Sequence, residues 1–180
     1  LKKFRLTPKK YIHTVGRLTP ENCIEDLIIA FKQIKTDYKC VIVGDSVYED
    51  KYKAYLLELA KGDERIIFTG FLQGREYDEL CTNSALYIET KEVGGTHPSL
   101  LEAIAFENPI IAKNIDYHKE VLENFGTYYD KNLPEKMNDF LLHKSKYIMQ
   151  VKQAKKKLSK VYSWSLIIKQ YENLFVKLHS

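Results

Sequence analysis

The sequence predicts an α/β domain built on a parallel sheet of about six strands. Short β-branched runs alternate with helical patterns from Tyr11 to about Asp130, and this alternation is typical of βαβ units. Residues 40–43 (CVIV) are apolar throughout, as expected of a strand that is covered on both faces. After Asp130 the strand signals stop, and the remaining segment shows only helical patterns. We therefore expect one sheet domain with a helical C-terminal extension.

The predicted elements follow one another regularly along the chain. Apolar residues at helical spacing, such as Leu27, Ile28 and Phe31, indicate the first helix. The strands are predicted at residues 11–15, 40–43, 65–68, 86–88, 109–112 and 127–129, and a turn at Thr69-Gly70 is expected to end the third. The helices are predicted at residues 24–35, 50–61, 74–81, 99–106, 117–122, 134–143, 144–161 and 163–179.

Composition excludes several classes of protein. Of the 180 residues, 44% are hydrophobic and 12% are aromatic, which is too many for a disordered chain. The formal net charge of +4 is spread along the sequence and argues against a dedicated nucleic-acid-binding protein. No apolar run approaches the roughly 20 residues of a membrane-spanning helix, and no signal peptide is recognised. Because the chain begins at Leu1 rather than Met, we expect that an N-terminal segment has been removed.

The cysteines and histidines show no metal-binding spacing. Cys23, Cys40 and Cys81 are far apart and lack the CxxC pattern of a zinc site or redox pair. We expect them to be small core residues in a reducing compartment. HxxH and HExxH patterns are also missing, so the sequence predicts no metal site.

Five lysines cluster in the helix predicted at residues 144–161. They are Lys152, Lys155, Lys156, Lys157 and Lys160, and the apolar positions of the same segment are Ile148, Val151, Ala154, Leu158 and Val161. Helical spacing then indicates a solvated face opposite a buried one. Contact with an anionic membrane surface is the alternative interpretation.

Three loops that follow predicted strands carry unusual residues. In an open parallel sheet, ligands bind beyond the carboxyl ends of the strands. The loops are residues 16–20 (GRLTP), 70–72 (GFL) and 92–99 (EVGGTHPS). The glycines of the third loop let the backbone approach a ligand closely, and the loop opens directly into a helix whose N-terminus favours an anion such as a diphosphate. A capped turn without a ligand is the alternative.

Arg17 and Glu102 are the two side chains best suited to a nucleotide. Arg17 is one of only four arginines and follows a glycine at a strand end, where a rigid, always charged fork suits a phosphate. Glu102 lies one helical turn past the third loop, where a carboxylate could accept hydrogen bonds from ribose hydroxyls. An arginine paired with a nearby carboxylate and an ordinary helix glutamate are the alternatives. His97 could donate to a phosphate or cap the loop.

Taken together, the loops and strands resemble the C-terminal, donor-binding domain of GT-B glycosyltransferases of the retaining family 4. Six phrases carry the resemblance, in the family's order: VGRLTPEN with DLIIAF, CVIVGD, RIIFTGFL, GGTHPSLLEAIAFENPIIA, HKEVL and YSWSLIIKQYENLF. The resemblance covers nearly the whole chain. It implies one Rossmann-like half of a GT-B fold, with residues 1–180 as a single nucleotide-sugar-binding domain and the N-terminal acceptor domain absent from this chain.

The resemblance also implies roles for individual residues. Arg17 would bind the donor diphosphate, and Glu102 matches the second glutamate of the family's E-x7-E motif, which is expected on the ribose. Arg17 and Glu102 are therefore the catalytic candidates, and no metal or other cofactor is expected. The implied binding residues are Gly16, Arg17, Phe71 and Leu72 (near the base), Gly94, Gly95, Thr96, His97, Ser99 and Glu102.

Two positions depart from the family pattern. Gly94 stands where the first glutamate of E-x7-E would fall, and Asn22 stands where a lysine usually follows the arginine by five positions. Both departures resemble a rhamnosyltransferase-like branch whose loop also reads VGGT-x-PSLLEA. The sugar contact would then come from the backbone around Gly95 and Thr96, or from Glu92 through a displaced loop.

The reaction implied is transfer of a hexose, with rhamnose as one candidate, from a nucleotide diphosphate sugar to an acceptor hydroxyl with retention. Arg17 and the helix N-terminus would stabilise the departing diphosphate. The acceptor would be a saccharide or lipid-linked precursor of a cell-surface polysaccharide, held by the N-terminal domain. We therefore expect this chain alone to bind the donor with little or no transfer, in the cytoplasm, with peripheral contact at the inner face of the plasma membrane as a further option.

The resemblance places the last helix against the absent domain. Trp164, Ile167, Tyr171 and Phe175 would then be exposed here or would pair with another copy. Two other functions stay open at this point. One is a nucleotide-sugar epimerase of the same fold, and the other is a non-catalytic interaction module that has lost its donor site.

Overall fold

Six parallel strands form a single sheet at the centre of the molecule. The computed structural model describes residues 1–46, 50–95 and 97–179. The strand order is β3-β2-β1-β4-β5-β6, and each neighbouring pair runs parallel. The strands are β1 (Tyr11–Val15), β2 (Lys39–Val43), β3 (Ile66–Gly70), β4 (Leu86–Glu89), β5 (Ile110–Lys113) and β6 (Thr127–Tyr129). The predicted α/β class with a six-stranded parallel sheet is confirmed.

Helices connect the strands and cover both faces of the sheet. They are α1 (Ile24–Gln33), α2 (Asp50–Ala60), α3 (Gly74–Asn83), α4 (Pro98–Ala105), α5 (Asp116–Leu122), α6 (Leu133–Leu142), α7 (Lys144–Leu158) and α8 (Trp164–His179). The β2 side chains show why the CVIV run is apolar. Cys40 and Ile42 pack on one side with α1 and α6, whereas Val41 and Val43 pack on the other with Leu80 of α3.

Two predicted boundaries were wrong for identifiable reasons. The third strand does not end at a Thr69-Gly70 turn, because Gly70 still pairs with Val43 of β2 and its carbonyl accepts a hydrogen bond from the Gly44 amide. Helix α1 stops at Gln33 rather than at residue 35, because Ile34 turns to an extended conformation (φ −92°, ψ 139°) and its side chain is buried.

The lysine-rich helix α7 has the predicted buried and solvated faces, with two exceptions. Val151, Ala154 and Leu158 pack against the α4 side of the sheet, but Ile148 and Val161 are more than 40% exposed. On the solvated face Lys155 pairs with Glu107 at 2.8 Å. Lys157 forms a second ion pair with Glu123. Ile148 lies at the edge of the buried stripe. Val161 lies beyond the end of α7, because the helix ends at Leu158 rather than at the predicted residue 161.

The cysteines lie in the core as expected, and the last helix exposes Trp164, Tyr171 and Phe175, whereas Ile167 is half-buried. Cys23, Cys40 and Cys81 are buried free thiols, and burial raises the pKa of Cys23 and of Cys81 to about 12. Helix α8 buries none of its residues, and Trp164 at its start is 80% exposed. None of the helices in the described residues is long and apolar enough to cross a bilayer.

Candidate functional site

The sheet order itself locates a crevice. From β1 the chain winds outward through β2 and β3, and it then returns to the other side of β1 to begin β4, β5 and β6. The carboxyl ends of β1 and β4 therefore lie side by side at the point where the winding direction reverses. Open parallel sheets bind ligands at this switch point. The loops after β1 and β4 are two of the three that the sequence analysis singled out.

The loop after β1 is held from the inside by Asn22. This buried side chain donates from Nδ2 to the Arg17 carbonyl at 2.6 Å and to Thr19 Oγ1 at 3.1 Å. Thr90 at the end of β4 in turn donates to the Asn22 carbonyl at 2.6 Å. Asn22 therefore shapes the loop and ties it to the neighbouring strand.

Arg17 points outward from this loop. Its side chain is 75% exposed, and Nη2 lies 3.9 Å from Oε1 of Glu21. An exposed ion pair of that length contributes little to stability. The pairing anticipated as the alternative interpretation is thus present, but it is weak enough for Arg17 to exchange Glu21 for an incoming anion.

Lys91 joins the two loops, and sequence reasoning missed it. Its Nζ donates to the Val15 carbonyl at 3.1 Å, at the end of β1, and to Ser99 Oγ at 2.8 Å, in the first turn of α4. A Cβ on Gly16 would lie 3.3 Å from Lys91 Cε, so the glycine leaves room for the lysine stem. Only the position of this lysine, three residues after a predicted strand, could have drawn attention to it.

The glycine-rich loop after β4 has a backbone conformation that residues with a Cβ rarely adopt. Gly94 has a φ of +129°, and a Cβ there would lie 2.7 Å from His97 Nε2. Gly95 faces open space, and the predicted contact at Thr96 lies outside the described residues. The His97 imidazole is buried rather than directed outward, so the expectation of a side-chain contact with a phosphate does not fit its orientation.

Helix α4 begins at the same edge. Pro98 is its first residue and has no N–H group, and Ser99 follows. The first N–H groups of a helix have no partner within the helix, and the helix dipole adds partial positive charge there. The α4 N-terminus and the loop that carries Arg17 therefore lie at the same edge of the sheet, where Lys91 joins Val15 to Ser99.

Glu102, Phe71 and Leu72 lie toward α3. Glu102 is exposed and accepts a hydrogen bond from the Tyr77 hydroxyl of α3. Burial and this carboxylate raise the pKa of Tyr77, so the phenol stays a donor. Phe71 is 73% exposed, whereas Leu72 is buried. The predicted ribose residue and the exposed aromatic ring thus belong to adjoining elements, and Tyr77 is a second residue that the sequence analysis missed.

Comparison with protein families decides what this arrangement belongs to. The model of the glycosyl transferases group 1 matches residues 2–168. The chain belongs to the group 1 glycosyl transferases. Comparison with curated proteins gives no match.

Solved structures of glycosyltransferases share the fold. Alr3699/HepE of Anabaena, solved in complex with UDP, superposes with a TM-score of 0.88 at 18% identity over 98% of this chain and 51% of that one. A glycosyltransferase of Rickettsia africae gives 0.87 at 19%, over 99% and 50%. Sucrose-phosphate synthase of Thermosynechococcus elongatus gives 0.84 at 19%, over 99% and 48%. The chain spans about half the length of these proteins, and its Rossmann-like sheet matches one half of their GT-B fold.

Within this glycosyltransferase domain, Glu92 is directed away from the crevice. It pairs with Lys113 of β5. Strand β5 neighbours β4 on the side opposite β1. Lys113 also binds Asp26 at 2.8 Å. The hydrogen bond and charge of Lys113 hold the pKa of Glu92 below its usual range. A sugar contact by Glu92 would therefore require breaking an ion pair.

A buried polar cluster lies at the carboxyl end of β4. Glu89 ends the strand, His97 precedes α4, and His118 comes from α5. Their ligand-type atoms lie within 4.8 Å of one another. The three residues are separated by 8 and 21 positions, so no local spacing pattern could have predicted the cluster.

Proposed function

We propose that this chain is the donor-binding half of a retaining, family 4 glycosyltransferase of the rhamnosyltransferase-like branch. It would bind a nucleotide diphosphate hexose, with rhamnose as one candidate sugar, for transfer to a saccharide or lipid-linked acceptor in cell-surface polysaccharide synthesis. One observation carries the proposal. In a group 1 glycosyl transferase, the loop that carries Arg17 and the loop that leads into α4 follow the two strands of the switch point, β1 and β4.

The diphosphate would lie between Arg17 and the N-terminus of α4. Arg17 supplies a permanent charge in a planar fork that matches phosphate oxygens. The α4 N-terminus supplies fixed N–H dipoles, which need no reorganisation when negative charge develops on the leaving diphosphate. Because these two positive groups can offset the charge of the leaving diphosphate, we propose that its departure here requires no metal.

The nucleoside would extend toward α3. Glu102 offers a carboxylate for ribose hydroxyls, and Tyr77 already holds it in place. The exposed Phe71 and the backbone of Leu72 adjoin this position and would meet the base. The UDP bound by the Anabaena protein supports a nucleotide ligand and makes UDP the first candidate.

The remaining parts of the reaction depend on a second domain. The chain covers about half of its structural relatives, so the acceptor would be held by a domain N-terminal to it. We propose that this half alone binds donor and transfers little or no sugar. We also propose a cytoplasmic protein, with the lysines of α7 as its contact with the inner face of the membrane.

The deciding experiment is a calorimetric titration of the chain with UDP, dTDP, GDP and ADP in the presence of EDTA. We expect one nucleotide to bind preferentially at one site. Arg17→Ala should weaken that binding roughly 10- to 100-fold, because a charge-assisted hydrogen bond contributes about 1.5–3 kcal/mol.

Arg5→Ala is the matched control, because Arg5 is also exposed but its carbonyl accepts from Lys39 at the opposite edge of the sheet. The nucleotide affinity of Arg5→Ala should equal that of the unchanged chain. Equal loss in both variants, or no nucleotide binding at all, would contradict the proposal and favour a non-catalytic interaction module. Nucleotide binding that is detected only without EDTA would contradict the proposal that the site requires no metal.

A further inference from the structure

The buried cluster of Glu89, His97 and His118 holds two imidazoles whose unprotonated nitrogens face each other. Nδ1 of His118 lies 2.8 Å from the Lys113 carbonyl oxygen. A carbonyl can only accept, so Nδ1 carries the proton and Nε2 keeps a lone pair. Nε2 of His97 likewise lies 3.3 Å from the Val93 carbonyl oxygen, which leaves the lone pair on Nδ1. His97 Nδ1 and His118 Nε2 are 3.3 Å apart.

Two facing lone pairs repel unless a cation lies between them. The cation is either a shared proton or a metal ion. Two nitrogens bound at 2.0–2.1 Å to one tetrahedral ion are about 3.3 Å apart, which is the separation found here.

The surroundings have the form of a metal site. Histidines that bind a metal usually donate their other N–H to a backbone carbonyl or a carboxylate, and both imidazoles here do so. Glu89 Oε2 lies 3.8 Å from His97 Nδ1 and supplies a carboxylate oxygen to the same space. All three side chains are buried, with 0%, 8% and 0% of Glu89, His97 and His118 exposed. Imidazole and carboxylate ligands suit divalent ions such as Zn²⁺.

Lys91 and Tyr87 limit the affinity. Glu89 accepts from the Tyr87 hydroxyl at 2.9 Å and pairs with Lys91 at 3.3 Å. Glu89 Oε2 has two lone pairs and already accepts from the Tyr87 hydroxyl and from Lys91 Nζ, so an ion bound at this oxygen would replace the Lys91 ammonium there. The Lys91 ammonium also repels a second cation nearby. We therefore expect a site weaker than the all-cysteine sites that hold zinc structurally.

We propose that Glu89, His97 and His118 bind one divalent transition-metal ion of the zinc class. The ion would join the loop after β4 to α5, and its remaining position would be filled by a ligand from outside the chain. This inference does not depend on the proposed function, and no contact with a diphosphate is assigned to the ion.

The test is titration of the chelator-treated chain with ZnCl₂ and with CoCl₂, without nucleotide. We expect one Zn²⁺ per chain and a rise in the melting temperature through mass action. We also expect visible Co²⁺ absorption of tetrahedral type without the charge-transfer band of a cysteine thiolate. Absence of 1:1 binding in the unchanged chain would overturn the proposal, and the two nitrogens would then share only a proton.

Variants assign the ligands. His97→Gln and His118→Gln should each weaken Zn²⁺ binding at least tenfold, and Glu89→Gln, which keeps the side-chain shape, should do the same. His143→Gln is the matched control. This exposed histidine pairs with Asp139 and lies far along the chain from the three proposed ligands. Circular dichroism establishes that each variant is folded. Unchanged Zn²⁺ affinity in any folded ligand variant would overturn the assignment.

Discussion

Because Gly94 has no side chain, the loop after β4 can adopt its observed shape. Its φ of +129° is a conformation that residues with a Cβ rarely adopt, and His97 Nε2 occupies the space where a Cβ would lie. The family resemblance places a glutamate at this position. Because the buried imidazole cannot move outward freely, the glycine and His97 are two parts of one local structure.

We therefore expect Gly94→Glu, which restores the E-x7-E spacing, to impair rather than improve the site. Backbone strain alone should cost about 1–3 kcal/mol of the free energy of unfolding, and displacement of His97 should weaken nucleotide binding. Urea unfolding and calorimetry measure the two effects. Gly95→Ala is the control, because that position faces open space. A Gly94→Glu variant as stable as Gly95→Ala, with tighter nucleotide binding, would show that this reasoning is wrong.

His13 is a second residue whose surroundings have a measurable consequence. It is 1% exposed in the middle of β1, where its Nδ1 contacts Ser84 Oγ at 2.8 Å. Burial lowers its pKa to about 4, against about 6.5 in an unfolded chain. Between these values the unfolded state binds more protons than the folded state. Stability is therefore lost as the pH falls from about 6.5 toward 4.

We expect this histidine to remove about 3 kcal/mol of stability over that range, at about 1.4 kcal/mol per pKa unit. Urea unfolding at several pH values, for the unchanged chain and for His13→Gln, isolates its share. His13→Gln should lose less free energy of unfolding on acidification than the unchanged chain, although it is less stable at pH 7. Parallel curves for the two proteins would mean that His13 does not carry the acid sensitivity.

At the level of elements, the ends of β1 and β2 are packed backbone against backbone. A Cβ on Gly44 would lie 1.9 Å from the Gly16 carbonyl oxygen, and Gly44 has a φ of +135°. The obstructing atom is backbone, so it can move only if the loop that carries Arg17 moves with it. The close approach of these strands thus fixes the position of the proposed diphosphate loop.

Gly44→Ala should lower the free energy of unfolding by about 2–4 kcal/mol and should also weaken nucleotide binding by shifting Gly16 and Arg17. Gly62→Ala separates strain from contact, because Gly62 has a φ of +83° but nothing within 4 Å. It should cost only the backbone strain and leave nucleotide affinity unchanged. If the two variants lose equal stability and neither loses affinity, the backbone contact does not position the loop.

The elements were more predictable than the contacts between them. Alternating β-branched and helical patterns are local, so the six strands and the helices around them follow from the sequence. The end of β3 was missed because it depends on a hydrogen bond from Gly44, which follows β2, to Gly70. Lys91, Tyr77 and His118 were missed for the same reason. Their partners are Val15, Glu102 and His97, which only the folded sheet brings close.

For the molecule as a whole, the main asymmetry is the last helix. The sheet and α1 to α7 bury hydrophobic clusters on both faces of the sheet, but α8 buries none of its residues. Its Tyr171 and Phe175 rings contact each other and are more than half exposed. Helices of globular proteins are stabilised mainly by packing of an apolar face. An apolar helix without that packing indicates a surface that is completed by another chain segment or another copy.

Removal of residues 164–180 should therefore leave the sheet domain intact. Because no buried contact is lost, we expect the melting temperature to change little and nucleotide affinity to stay the same. Self-association should fall, since the truncation removes Trp164, Tyr171 and Phe175 from the surface. Thermal unfolding, calorimetry and sedimentation velocity measure these three quantities. A large drop in melting temperature would mean that α8 contributes to the core of this half. Unchanged self-association would place the association surface elsewhere, with the lysine-bearing face of α7 the next to examine.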